Sequence, residues 1–309
     1  MEPLFNIVLP VFAIVATGYL CGKRNILGDE SSAALTAFVY WVALPALLFK
    51  AMASVDLAEV YNLPFIAGFT GALVLTFLLM SLVGRFIFKL NSAEAALHGL
   101  NGAYPNSGFM GIPLAIAAFG DDATLPAIVA TVISVLSVAL AIVPIEFSRQ
   151  QKADLPRVIR HVLGAVVRNP MIIAPCAGLA WGALGLGIPE AAVTYLDILG
   201  AAAGPCALFS IGLYLVGKPL TEGSMEVASM TVAKLVFQPL VTGLTVVVLL
   251  PTDPLWTSVA ILMAALPIGS GPFVLAQAQG IYVRRTSTVM LVTTILSVAT
   301  ISAFFALYL

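Results

Sequence analysis

Charge is scarce in this sequence: Asp, Glu, Lys and Arg make up 9% of its 309 residues, where a soluble domain carries about a quarter. Hydrophobic residues make up 61%, so the chain belongs in lipid. Histidine is limited to His98 and His161. With no HExxH pattern and no Ser/His or Cys/His constellation, an enzyme is not expected. Cys21, Cys176 and Cys206 form no CxxC pair and sit in apolar stretches as small hydrophobes, which excludes a disulfide framework and a cysteine metal site. No cofactor is expected. A net charge of −1 leaves no basic excess for nucleic acid. Met1 and Glu2 lead directly into an apolar stretch without a basic leader or clear cleavage motif, so the first helix is expected to be retained.

What the sequence has instead is long apolar runs. A membrane span needs about 20 such residues, and ten runs stand near 4–22, 32–52, 63–88, 95–119, 124–147, 168–187, 191–216, 226–250, 255–280 and 286–308. They are continuously apolar rather than alternating, which favours helices over a β-barrel. The lipid bilayer is thus the first partner, and the expectation is an all-α polytopic membrane protein. The longest polar connection is the basic segment 148–167, too short for a soluble domain. Cations cluster after odd-numbered runs: Lys23, Arg24, Arg85, Lys89, Arg149, Lys152, Arg157, Arg160, Arg168, Lys218, Arg284 and Arg285. Only Lys50 stands near an even-numbered loop, and Lys234 lies inside run eight. The positive-inside rule then makes the odd loops cytoplasmic and puts both termini outside. The even loops carry Asp56, Glu59, Asp121, Asp122, Glu190 and Asp253.

An offset of about 160 residues aligns Pro10 and Gly18 with Pro170 and Gly178, and Pro45 and Phe49 with Pro205 and Phe209. Pro105 falls within two residues of matching Pro267. Two units of five helices follow, 1–147 and 168–309. Because five is odd, the second unit enters the membrane from the opposite side, an inverted repeat as in secondary transporters.

Run four contains Asn101, Tyr104, Pro105, Asn106, Ser107 and Gly108 near mid-bilayer, and run nine contains Pro267, Ile268, Gly269, Ser270, Gly271 and Pro272. Proline lacks an N–H and clashes with the carbonyl four residues earlier, so neither run stays a regular helix. Unwound backbone at membrane depth must be buried in protein or line a wet cavity, because lipid cannot satisfy its polar groups. The two breaks are expected to lie near each other. The N-termini of the second halves, around Gly108 and Pro272, would then favour an anionic group. Lone Pro45 and Pro205 read as packing kinks.

The stretch Tyr104, Pro105, Asn106, Ser107, Gly108, Phe109, Met110, Gly111, Ile112, Pro113, Leu114, ending in Phe119, Gly120 and Asp121, resembles the crossover helix of the auxin efflux carrier family. Ala265, Leu266 and Pro267, followed by Gly271, Pro272, Phe273, Val274, Leu275 and Ala276, resemble the second crossover. Phe38, Val39, Ala43, Leu44 and Pro45 also match, so the similarity spans nearly the whole chain. The resemblance implies a ten-helix fold with helices 1, 2, 6 and 7 as a scaffold, often dimeric, and helices 3–5 and 8–10 as a moving transport domain. It further implies elevator-type transport of a small carboxylate such as malonate or an auxin-like acid, with Asn106 as a ligand of the carboxylate. The short segment after run five replaces the long loop of the plant carriers, and Ile268 and Ser270 differ from them. A bacterial inner-membrane member is the closer picture.

Lys234 lies about eight residues into run eight, and either offsets substrate charge or takes part in coupling, or snorkels to the interface. Asn101 shares a helical face with Tyr104 and Pro105, and either lines the cavity or bonds a neighbouring helix. Asp197, Glu146 and His98 read as interface residues. Gly178 with Gly182, and Gly200 with Gly204, allow close helix approach, usually within one chain, though a homodimer seam is open to them. A cation/proton antiporter of similar crossover design would need mid-membrane carboxylates. Runs four, five, nine and ten have none near their centres. Sodium could still be held by neutral oxygens at the breaks, so the coupling ion stays open.

Overall fold

The computed structural model describes residues 9–55, 60–149, 155–217 and 224–308. Expectations resting on Met1, Glu2, Asp56, Glu59, Lys152 and Lys218 lie outside these residues. Among the described residues the protein is helical, with no strand longer than one isolated bridge. Six helices are long and apolar enough to cross a membrane: α2 (Glu30–Ala53), α3 (Leu63–Phe86), α6 (Asp121–Ser148), α9 (Glu190–Tyr214), α10 (Met225–Leu249) and α13 (Val283–Tyr308). Shorter apolar helices are α1 (Leu9–Lys23), α5 (Ser107–Phe119), α8 (Pro170–Ala183) and α11 (Pro254–Ala265). The remaining helices are α4 (Ser92–Ala103), α7 (Leu155–Val167) and α12 (Gly271–Gln279). The chain is a multi-pass membrane protein.

Helix starts follow local chemistry. Asn91 and Glu94 form a reciprocal capping box on α4, satisfying donors that the first turn leaves free. The side chains of Asn62, Asn169 and Asp253 accept from the N–H groups of Phe65, Met171 and Leu255, each beside a proline in the first turn. Interior prolines are accommodated by local widening to π-type hydrogen bonding over Val39–Ala43, Ser107–Gly111 and Ala233–Phe237. Each wide turn contains the residue four positions before a proline, namely Trp41 before Pro45, Phe109 before Pro113 and Leu235 before Pro239. That is the carbonyl a proline ring would strike in a regular helix.

Packing within lipid gains little from apolar burial and depends on close backbone approach. Gly18 lies so near α9 that a Cβ there would sit 2.2 Å from the Phe209 carbonyl oxygen, and one on Gly178 would sit 2.4 Å from that of Phe49 on α2. Gly182 meets the Ala53 carbonyl, Gly200 meets Leu47, and Gly204 meets Pro113. All four of the small-residue positions noted in the sequence are therefore occupied by contacts inside the chain. On α3, Phe69, Leu73, Phe77 and Met80 are buried while Leu75, Leu78 and Leu82 are about half exposed, a surface suited to acyl chains.

The segment 148–167, expected as a basic loop, is helical over Leu155–Val167. Its arginines drew attention from Ile159, Leu163 and Val167, which recur on one face and are exposed. His98 and Glu146, expected near the membrane interface, are buried within the protein.

Candidate functional site at the paired helix breaks

The α4/α5 and α11/α12 breaks cross each other. The breaks leave the Tyr104 carbonyl and the Asn106 N–H on one side, and the Pro267 carbonyl and the Gly269 N–H on the other, without intrahelical partners. These backbones satisfy one another instead. Pro105 and Ile268 form an antiparallel bridge, in which the Asn106 N–H donates to the Pro267 carbonyl at 2.8 Å and the Gly269 N–H donates to the Tyr104 carbonyl at 3.2 Å. The Ile268 N–H donates to Thr293 Oγ1 on α13 at 3.2 Å.

Glycines make this crossing possible. A Cβ on Gly269 would lie 2.9 Å from the Pro105 carbonyl oxygen, and one on Gly271 would lie 2.6 Å from Cζ of Tyr104, whose ring rests on the second break. The half-helices α5 and α12 both start at the crossing, from Ser107 and Gly271. Neither receives a side-chain cap, from Asn106 or from Ser270, so their first N–H groups keep bonding capacity and partial positive charge. Tyr104, Gly108, Ser270 and Gly271 are half-buried, whereas Pro105, Asn106, Ser107, Pro267, Gly269 and Pro272 are buried. Gly108 faces Met171 of α8, Leu44 of α2 and Thr131 of α6. The crossing thus brings Tyr104, Pro105 and Asn106 against Pro267, Ile268, Gly269 and Gly271, and places α5's first turn against α2 and α8.

The other two half-helices, α4 and α11, end at the crossing with free carbonyls. Helix α10 supplies donors to both: Lys234 Nζ donates to the Ala264 carbonyl at 2.6 Å, and Gln238 Nε2 donates to the Ala103 carbonyl at 2.6 Å. Both side chains are buried, so Lys234 does not snorkel. Its amino group faces the partial negative end of α11, and among the described residues no carboxylate pairs with it. Nothing beyond its four-residue spacing from Lys234 marked Gln238 in the sequence.

Asn101 is buried and donates through Nδ2 to Thr286 Oγ1 on α13 at 2.9 Å, which is the neighbouring-helix bond. Its Oδ1 is buried without a hydrogen-bond partner, as are Gln238 Oε1 and Thr242 Oγ1. Below the crossing, His98 Nδ1 and Tyr282 Oη lie 3.0 Å apart, and the Tyr282 hydroxyl donates to Glu226 at 2.5 Å. Arg285 Nε pairs with Glu226 at 2.9 Å. Burial, then the Glu226 carboxylate, push the Tyr282 phenol well above its usual range. Among the described residues no cluster of three His, Cys, Asp or Glu could hold a metal ion.

A profile of the family described as membrane transport protein matches residues 3–305. A Rhizobium meliloti protein named "Putative malonate transporter" is 33% identical over 307 residues, covering 98% of this chain and 95% of the relative. The uncharacterized transporter YfdV of Escherichia coli is 24% identical, covering 94% and 92%. A mouse lysosomal cholesterol signaling protein is 30% identical over 77% of this chain but only 29% of its own length. The chain therefore belongs to the membrane transport protein family, that of the auxin efflux carriers, and is a membrane transporter rather than an enzyme.

Proposed function

We propose that this protein is a secondary transporter of small organic anions, with carboxylates such as malonate as its substrate class, bound where the two helix breaks cross. The observation that carries this reading is the Asn106–Pro267 crossing. Two uncapped helix starts, α5 and α12, originate there beside half-buried Tyr104, Gly108 and Ser270. Such starts favour a carboxylate. Lys234 places an amine able to carry positive charge in the same region, with no carboxylate paired to it among the described residues. The name of the Rhizobium relative supports the same substrate class.

The wider architecture in this reading is ten crossings in two inverted units, in a bacterial inner membrane with both termini outside. Reciprocal packing supports the repeat. Gly18 approaches Phe209 while Gly178 approaches Phe49, and the offset of 160 residues exchanges the two pairs. Scaffold helices α1, α2, α8 and α9 would hold still while the remainder moves as an elevator. A homodimer would form on outer scaffold faces, because the glycines at 178, 182, 200 and 204 are used internally.

Uptake of labelled malonate by proteoliposomes, under separate proton, sodium and potential gradients, tests the reading. Saturable uptake lost in Asn106→Ala is expected, and the effective gradient identifies the coupling. Sodium- or proton-driven movement of a different solute, with no carboxylate flux, would replace it with the second reading, a coupled transporter of other cargo.

A further inference from the structure

A crevice of about 420 Å³ opens between α2, α9 and α5, lined by Leu47, Lys50, Pro113, Asp197, Ala201 and Gly204 among others. Lys50 and Asp197 form an ion pair across its walls, with side chains 34% and 52% exposed. The rest of the lining is apolar or small. Within it Gly204 packs on Pro113, which lies seven residues beyond Asn106, about 10 Å along the helix axis. The opposite end of α9 packs against α12 and α13. There Tyr214 packs edge-on against Phe273 of α12 at 5.9 Å, and its hydroxyl lies 3.1 Å from Ser287 Oγ of α13. The crevice thus borders α5, the half-helix that starts at the crossing.

We propose that the Lys50–Asp197 pair is an anion-collecting gate at the mouth of this crevice, at which an incoming small carboxylate takes the place of Asp197 on the Lys50 ammonium before passing to the crossing. This rests on the carboxylate-transport reading above. The crevice offers a single cation, and that cation is already matched to a carboxylate. An exposed pair is weak enough to exchange partners at little cost, and a low-dielectric cleft strengthens the attraction of a lone ammonium for passing anions. Asp197 then serves as a placeholder that keeps Lys50 pointed into the crevice and shields it from non-specific anions.

Two measurements on the full-length protein in proteoliposomes test the gate. In a background with Cys21, Cys176 and Cys206 replaced by serine, Ala201→Cys places a thiol in the crevice. Modification of that thiol by a charged, membrane-impermeant maleimide should be slowed by malonate, and Lys50→Gln should abolish the protection. In uptake kinetics, Lys50→Gln should raise KM roughly fivefold with kcat unchanged, and Asp197→Asn should lower KM. A purely structural ion pair would instead make the two variants behave alike, which overturns the gate. So would malonate leaving thiol modification unaffected while flux is normal. Protection without any flux would keep the gate and reject transport, so the two readings fail separately.

Discussion

Asn106 and Pro267, 161 positions apart in the chain, are joined by a 2.8 Å hydrogen bond from the N–H of the first to the carbonyl of the second. That bond and its partner from Gly269 replace what two broken helices lose, so the crossing is held by backbone groups that no side-chain substitution removes directly. Substitution reaches it through space.

Gly269→Ala is the sharpest such probe. Its methyl would need to share space with the Pro105 carbonyl and the Asn106 Cα, at 2.9 and 3.1 Å, so the two breaks must part. A loss of about 1–3 kcal/mol in detergent stability is expected, with carboxylate uptake falling at least tenfold. Gly271→Ala meets only the Tyr104 ring, and Tyr104→Ala in the same chain should restore its thermal stability. Equal melting of Gly269→Ala and the parent would disprove the crowding argument.

Lys234 and Gln238 separate charge from capping. Gln238→Leu leaves the Ala103 carbonyl without its donor and should cost about 1–3 kcal/mol. Lys234→Met also strips a carbonyl, yet it removes a buried charge whose desolvation opposes folding, so its stability loss should be the smaller of the two. Uptake should nevertheless vanish in Lys234→Met if the ammonium offsets substrate charge. Normal uptake in that variant would leave Lys234 a cap and nothing more.

The helix punctuation was legible in the sequence because proline and glycine act locally: Pro105 and Pro267 mark breaks that the structure places at Tyr104–Asn106 and Leu266–Ser270. Which backbone atoms pair across the crossing was not, since register between segments about 160 residues apart depends on the packing of α10 and α13 against both. Lys234 illustrates the same limit. Its depth in run eight was readable, but its choice between the interface and the Ala264 carbonyl depends on where α11 ends. Helix α7 was readable in principle from Leu155, Ile159, Leu163 and Val167, and was obscured by the basic residues among them.

Tyr282 offers a pH test away from the membrane interior. Its phenol is raised by burial and by Glu226, so the neutral form is the one the fold favours. The associated stability is complete below the unfolded value of about 10 and declines as pH rises beyond it. Melting of the parent protein should therefore fall more steeply above pH 10 than melting of Tyr282→Phe. Parallel curves would show that the hydroxyl is not held by the Glu226 contact.

Gly18→Ala and Gly178→Ala should damage the protein to a similar degree, because each puts a methyl within 2.4 Å of a carbonyl oxygen on the facing helix. Both are expected to lower the yield of folded protein in membranes, measured by fluorescence-detected chromatography. Severe loss in one and none in the other would argue against reciprocal packing.

Helix α10 is tied by Lys234 to the end of α11 and by Gln238 to the end of α4, while the breaks are tied to each other. In the elevator reading proposed above, these ties would make a displacement carry all of the pieces as one block. A pocket carried in that way without deformation would present the same intrinsic affinity to both sides of the membrane. Inward and outward transport would then saturate at the same intrinsic affinity, while the direction of net flux is set by the gradients that the cell maintains.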